Sequence, residues 1–515
     1  MATRKLFPPL THFRSPPELH DYIAQLGIDL PFDDQPESGP HSFFAEPYFL
    51  PDGTTIGNRI CAQPMEGWDA TPDGRPSELT RRRWLRLAQS GAKLIWGCEA
   101  VAISPDGRSS PHQLLINRQT LPELAALRAE MVALHKASCE QKGLNHTQAA
   151  SGPPGVPGKG ALAAVGADGL LIGLQLTHSG RFSCPQEWNR RQPALVYHHP
   201  YLDAKMGISP DQPLLSDEHI EELINQFIDA AVLAGEAGFD FVDIKHCHGY
   251  LAHEFLSAYT RPGPFGGSYM NRTRFTRRVL LGIRQKAPRL RVGVRLSAFD
   301  LIAYEPDPQT GIGRPVETDG GYPTPFGADP DDPSQVKLDE PARFLELLRE
   351  LGVTLVNLSA GCSFYNTHVM RPSRYPAADS AGSYRPPEDP LAGVARQMAA
   401  VAELKKRLPG LCLVGSAYSY LQEWLPNVAA YNLRSNRVDF IGLGRVLLAN
   451  PDYPSDLLTG STPDRKHLCR SFSDCISAPR HGLVSGCYPF DPFYGSQPAA
   501  VELKDIKAAA VRKNF

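Results

Sequence analysis

Short apolar runs recur along the chain, with longer amphipathic stretches between them. Arg59-Ile-Cys-Ala62, Lys93–Cys98, Leu170–Leu176, Phe239–Lys245, Leu290–Leu296, Thr354–Leu358, Leu411–Val414 and Val438–Leu443 are four to seven residues long and read as strands. Between them Glu78–Ser90, Leu121–Gln141, Ser216–Gly238, Asn271–Lys286, Pro341–Leu351, Leu391–Leu408 and Leu421–Leu433 read as helices. Ser216–Gly238 shows why: an N-cap-like Ser with Glu218 two positions on, apolar residues spaced by three and four, and a terminal Gly. Alternating βα units imply a parallel sheet with right-handed crossovers. Eight of them predict an α/β protein closed into a (β/α)8 TIM barrel. An open doubly wound sheet is the alternative, but no GxGxxG joins a first strand to a helix.

Residues 1–50 are rich in proline and aromatics and predict an N-terminal extension wrapped over a barrel face. Residues 51–460 form the barrel and 461–515 a cysteine-containing C-terminal extension. Two long insertions, Ala298–Glu340 after strand five and Cys362–Asp389 after strand six, leave C-terminal strand ends, where barrel enzymes place active-site loops. A Gly/Pro/Ala-rich segment, Gln148–Gly169, precedes strand three.

Composition narrows the function classes. The formal net charge of −2 gives no electrostatic case for nucleic acid or an anionic membrane. No 18-residue apolar run and no signal-peptide-like core are present, and free thiols in a chain of this size agree with a reducing compartment, so the expectation is a cytoplasmic protein. Cys61, Cys98, Cys247 and Cys412 read as small core residues, and only Cys469, Cys475 and Cys487 look clustered.

The chemistry concentrates in Phe239–Ser257, FDFVDIKHCHGYLAHEFLS. A buried strand ends there and hands Lys245, His248 and Tyr250 to one small volume, able between them to donate protons and bind an oxyanion. The bland reading is an Asp243–Lys245 ion pair and a turn-capping His248. The other strands end on the same face in Gln63-Pro-Met-Glu66, Glu99-Ala100, Gln175-Leu-Thr-His178, Arg295-Leu-Ser297, Ser359-Ala-Gly361, Gly415-Ser416 and Gly442-Leu-Gly444-Arg445. Barrels often bind phosphate after strands seven and eight, where Gly415-Ser416 and Gly444-Arg445 supply small residues, amides and a guanidinium.

With NRICAQPM, EAVAISPDGR, QLTHSGR, HGYLAHEFLS, FGGSYMNRTRF, VRLS and GLGRVLLANP in this order, residues 50–460 resemble the Old Yellow Enzyme, or NADH:flavin oxidoreductase, family. The resemblance implies a barrel holding FMN noncovalently, reduced by NADH or NADPH, that passes hydride to electron-poor alkenes of small-molecule substrates. It implies that Gln63, Pro64, Met65, Glu66 and Ala100 line the isoalloxazine and that Gln175 bonds its pyrimidine edge. Arg295 would sit by the N1–C2 carbonyl, while Gly415, Ser416, Gly444 and Arg445 would hold the phosphate. Tyr250 matches the family's proton donor, and a phenol suits that role because its pKa of about 10 keeps it protonated.

Three departures qualify the resemblance. Where the family places His-x-x-His or His-x-x-Asn, this chain has Lys245 and His248; the lysine either anchors a substrate carboxylate or enolate, the favoured reading, or pairs with Asp243 or Glu66. Glu66 replaces the usual Thr or Cys, and its charge would hinder flavin reduction unless it is paired or protonated. The third is Cys469-x5-Cys475-x11-Cys487, which resembles the 4Fe–4S motif of the 2,4-dienoyl-CoA reductase branch but lacks the second ligand, so a degenerate remnant is expected, with Tyr488-Pro-Phe-Asp-Pro492 folded over the active site. The chain also ends without that branch's FAD and NAD domains, so nucleotide is expected to reach the barrel flavin directly unless another protein supplies the electrons. A Schiff-base aldolase using Lys245, a catalytically dead scaffold, and a homo-oligomer all remain open on the sequence.

Overall fold

The computed structural model describes residues 7–144, 169–317, 325–375, 377 and 383–513. Eight parallel strands close on themselves: β1 (Ile60–Ala62), β2 (Leu94–Ile95), β3 (Leu171–Thr177), β4 (Phe241–His246), β5 (Arg291–Ser297), β6 (Leu355–Ser359), β7 (Cys412–Gly415) and β8 (Phe440–Leu443). Closure is made by Ile441↔Ile60 between β8 and β1 and by Leu94↔Leu171 between β2 and β3. Helices α1 (Glu78–Ala88), α2 (Leu121–Gln141), α3 (Asp217–Glu236), α4 (Arg274–Lys286), α5 (Asp339–Glu350), α6 (Pro390–Arg407) and α7 (Leu425–Arg434) form the crossovers. This is the (β/α)8 barrel expected from the alternation. Caps fix the helix starts: Ser77 accepts from the amides of Leu79 and Thr80, and Ser216 from that of His219.

Period-two alternation explains how one strand serves core and site together. In β4, Val242 and Ile244 join the outer core against the helices, whereas Phe241 points into the barrel with Cys61, Trp96, Leu171, Leu355 and Phe440. Higher on that inner face come Asp243 and Lys245, so the barrel is apolar at its base and polar at its mouth. A hairpin of Tyr48–Phe49 with Thr55–Ile56 plugs the base, adding Leu50 and Ile56 to that inner cluster.

Several expectations are adjusted. Before this hairpin the N-terminal extension packs on the barrel from outside, along its outer helices, and adds Leu10, Leu19, Ile23 and Phe32 to the main core. Its Tyr22 donates to Asp389, Phe32 meets Trp424 edge-on at 5.7 Å, and the Asp33 amide bonds the Asn427 carbonyl at 3.1 Å. The helix read over Leu421–Leu433 is a 3-10 stretch, Tyr418–Trp424, kinked at Gln422 (φ 54°), followed by α7, which begins next to Pro426 because proline needs no intrahelical donor in the first turn. Asn271–Lys286 likewise breaks at Thr273 into Tyr269–Arg272 and α4. The insertion after β5 contains an antiparallel pair, Tyr304–Pro306 with Gly313–Pro315. Of the segment Gln148–Gly169 only Gly169 is described; residues 145–168 lie outside the described residues. No helix among the described residues is long and apolar enough to cross a membrane.

Candidate active site

The C-terminal strand ends surround a cavity of about 290 Å3. Of the residues singled out in the sequence, Gln63, Pro64, Met65, Glu66, Gln175, Lys245, His248, Tyr250, Arg295, Ser416, Gly444, Arg445 and Cys475 line it. Ala100 and Gly415 do not. Ala100 belongs to a ninth short strand, Ala100–Ala102, that pairs beside Gln175 of β3, and it is buried there. The chain reaches that position through Gly97 (φ 92°), where a Cβ would lie 2.5 Å from the Gln175 amide nitrogen. Gly415 sits behind the wall, its carbonyl facing the Gln63 amide nitrogen at 3.5 Å.

At the substrate side, two consecutive left-handed residues, His248 (φ 64°) and Gly249 (φ 85°), turn the chain sharply after β4. Gly249 is required: a Cβ there would meet the Cys362 Sγ at 2.5 Å, on top of the backbone strain. The turn presents Tyr250 beside Lys245, whose Nζ lies 3.6 Å from the phenol ring centroid. Lys245 donates to Glu66 Oε1 at 2.5 Å, and the Tyr250 hydroxyl donates to Glu66 Oε2 at 3.1 Å. Of the partners open to Lys245, the structure thus chooses Glu66. Asp243 is occupied elsewhere, accepting from Gln175 Nε2 at 2.5 Å and from the Arg295 amide at 2.6 Å.

Burial, reinforced by Glu66, pushes the Tyr250 phenol well above its ordinary range and keeps it protonated. His248 has its Nε2 2.8 Å from Ser359 Oγ and is held well below its usual value by burial, then by Arg295 and Lys245, which makes it a neutral imidazole. Burial also raises Asp243 to about 6. Phe364 stacks on Phe182 and stands edge-on to Tyr250 at 6.3 Å, so the rim beside these groups is aromatic.

The cavity is also strongly cationic. Arg295 donates to the Pro64 carbonyl at 3.2 Å, yet its Nε is buried without a partner. Arg445 Nη1 and Arg371 Nε and Nη1 are also buried and unpartnered. Ser416 and Ser419 stand beside them, and Gly442 must be glycine because a Cβ would overlap the Gln63 amide and the Gly415 carbonyl. Lys245, Arg295, Arg371, Arg445 and Arg480 face the cavity against one carboxylate, Glu66. Guanidinium donors left over in a buried cradle of small residues fit the phosphate of a mononucleotide such as FMN.

Sequence reasoning missed Arg371, which lies in the irregular insertion after β6, and Arg480, which comes from the C-terminal extension through helix α8 (Asp474–Arg480). That extension does cover the cavity, but through Cys475, Ile476, Pro479, Arg480 and Ser485. Tyr488–Pro492 packs on the outside of the barrel instead, where Arg82 and Arg86 pair with Asp491. All three C-terminal cysteines are free thiols, and burial raises those of Cys475 and Cys487. Among the described residues no group of three or more His, Cys, Asp or Glu side chains is placed to hold a metal ion.

Comparison with known proteins agrees with this geometry. Residues 159–309 match the family model described as NADH:flavin oxidoreductase / NADH oxidase. The chain is similar to an NADH:flavin oxidoreductase of Gibberella zeae, 30% identical over 204 residues covering 37% of this chain and 45% of that one. An NADH oxidase of Thermoanaerobacter brockii is 26% identical over 316 residues, 61% of this chain and 40% of its own. An NADPH dehydrogenase of Geobacillus thermodenitrificans is 26% identical over 419 residues, 78% and 90% of the two chains. The matched stretch therefore spans less than half the length of the first two relatives. Among solved structures, 2-naphthoyl-CoA reductase superposes with a TM-score of 0.61 at 16% identity, over 88% of this chain and 57% of that one. Morphinone reductase gives 0.50 at 20% identity, over 84% and 95%. At these identities the superpositions establish the shared barrel.

Proposed function

Because the chain belongs to the NADH:flavin oxidoreductase family, the Old Yellow Enzyme-like flavoproteins, we propose that it is an FMN-dependent ene-reductase. On this reading NADH or NADPH reduces the flavin, and the substrate is a small molecule whose C=C bond is conjugated to a carbonyl or carboxylate; reverse desaturation uses the same groups. The observation that carries the proposal is the placement of the Tyr250 hydroxyl in the same cavity as the unpartnered donors of Arg445, Arg371 and Arg295.

When bound, FMN supplies hydride chemistry at the mouth of the barrel. Arg445, Ser416 and Gly444 would hold its phosphate, and Gln63–Glu66 with Gln175 would border its ring. Arg295, which also lines the cavity, would supply a fixed cation to the negative charge that reduced flavin gathers. Tyr250 holds the proton for the alkene carbon, with Glu66 orienting the hydroxyl. Neutral His248 can donate a hydrogen bond to the substrate oxygen, since protonation would add a third cation beside Arg295 and Lys245. Lys245 neutralises Glu66, which removes the penalty that a bare carboxylate would impose on flavin reduction, and its remaining protons are available to that oxygen.

The competing Schiff-base aldolase needs a neutral Lys245 amine, and an ion pair of 2.5 Å to Glu66 opposes that. Anaerobic titration of the purified protein with NADH and NADPH, followed by an enone and enoic-acid panel, tests the proposal. Bleaching of a bound flavin by nucleotide and its recovery on adding alkene is the expected result. A colourless protein trapped on Lys245 by borohydride plus substrate would replace it with the aldolase.

A further inference from the structure

We propose that Arg371, carried by the insertion after β6, is a second guanidinium ligand of the flavin phosphate, working beside Arg445. The inference rests on the flavin reading above and adds a residue that neither the strand pattern nor the phosphate-binding loops after β7 and β8 supply.

Arg371 is set in place from several sides. It follows the short helix Thr367–Met370, and its amide donates to the Thr367 carbonyl at 2.9 Å. Gln397 of α6 donates to the Val369 carbonyl at 2.7 Å, pinning the same turn. Two residues on, Ser373 Oγ donates to the Ser471 carbonyl at 2.8 Å and ties the turn to the C-terminal extension. A side chain launched from so fixed a backbone loses little further freedom on binding a ligand.

The guanidinium so placed lacks an anion. Nε and Nη1 of Arg371 are buried with no hydrogen-bond partner, as is Nη1 of Arg445 in the same cavity wall. No carboxylate among the described residues accepts from these three nitrogens. The acidic groups closest in effect are the thiols of Cys475 and Cys469, and burial keeps Cys475 in its neutral form. Burial and the neighbouring Arg445 both disfavour the charge on Arg371. Two neighbouring half-buried guanidinia whose buried donors go unused are costly unless a ligand brings negative charge to both. A phosphate monoester, nearly a dianion at neutral pH with three acceptor oxygens, matches two guanidinia better than one.

The test compares FMN with riboflavin, which carries the same ring without the phosphate. Protein stripped of its flavin is titrated with each and read by quenching of flavin fluorescence. Arg371→Met should weaken FMN by roughly 10- to 100-fold while moving riboflavin by less than about 3-fold, the size of a lost charge-assisted hydrogen bond. Arg371→Lys, which keeps the charge but not the fork, should fall between the native protein and Arg371→Met. Unchanged FMN affinity in Arg371→Met, or equal losses for FMN and riboflavin in both variants, overturns the inference and leaves the flavin reading intact. A native chain that binds neither flavin overturns both.

Discussion

The Lys245–Glu66 pair is the feature that most separates this site from the His-x-x-His pattern, and its energy can be worked from its surroundings. Lys245 is 4% exposed and Glu66 20% exposed, with Nζ 2.5 Å from Oε1. At an effective dielectric of about 20, unit charges at that spacing attract by roughly 7 kcal/mol, most of which offsets the desolvation of the ammonium. Removing one partner of such a pair strands the other, at a cost of about 3–5 kcal/mol. Glu66→Gln strands the charge of the more buried partner, but the glutamine carbonyl can still accept from Lys245, so the lower end, about 3 kcal/mol, is expected. Lys245→Met should cost only about 1 kcal/mol, since Glu66 retains the Tyr250 hydroxyl and the methionine chain still covers the phenol ring. The double variant should be about as stable as Lys245→Met alone, giving a coupling of about 2–3 kcal/mol. Urea unfolding of the four proteins measures it. Additivity to within about 0.5 kcal/mol would refute the reasoning and mean that the two charges are solvated independently.

Other consequences can be checked separately. Tyr250→Phe should slow alkene reduction by about 10²–10⁴-fold while sparing flavin reduction by nucleotide, as stopped-flow measurement of each half-reaction would show; equal slowing of both contradicts the proton-donor role. With Tyr250 raised above its ordinary value, alkene reduction should show no tyrosine inflection below pH 10, and one that disappears in Tyr250→Phe would contradict its burial. His248 is depressed in the fold, so the unfolded chain takes up the proton first. Its contribution to stability is complete above pH ~6.5 and falls by about 1.4 kcal/mol per pH unit below that, toward the folded pKa. His248→Gln should flatten the acid limb of stability against pH, and parallel curves for the two proteins would show that the ring is solvated. Gly442→Ala should reduce flavin content per chain, because the added methyl overlaps the Gln63 amide and the β7 backbone; full occupancy would show that the cradle yields.

How much of this was legible depends on what kind of pattern each feature leaves. All eight strands were readable, because each is a short apolar run with a helix before the next, and the inward alternation of Phe241, Asp243 and Lys245 follows from strand geometry. Strand ends predicted most of the cavity wall for the same reason. Ala100 falls outside the cavity lining because a two-residue β2 and the turn at Gly97 and Cys98 insert an extra short strand that no periodicity announces, whereas Gly415 ends β7 with its carbonyl turned toward Gln63. Arg371 and Arg480 left no signal at all. One follows a four-residue helix inside an irregular insertion, the other ends a seven-residue helix beyond the barrel, and only tertiary packing brings them to the cavity. The choice of Glu66 over Asp243 for Lys245 was equally hidden, because it depends on Gln175 and the Arg295 amide having taken Asp243 first.

A phosphate-bearing flavin seated at the barrel mouth is tested most directly by the visible spectrum of the purified protein, with the chromophore released by denaturation and identified by mass. Flavin absorbance, with FMN recovered near one per chain, is the predicted result. A protein that is colourless as purified and stays so after incubation with FMN would contradict it.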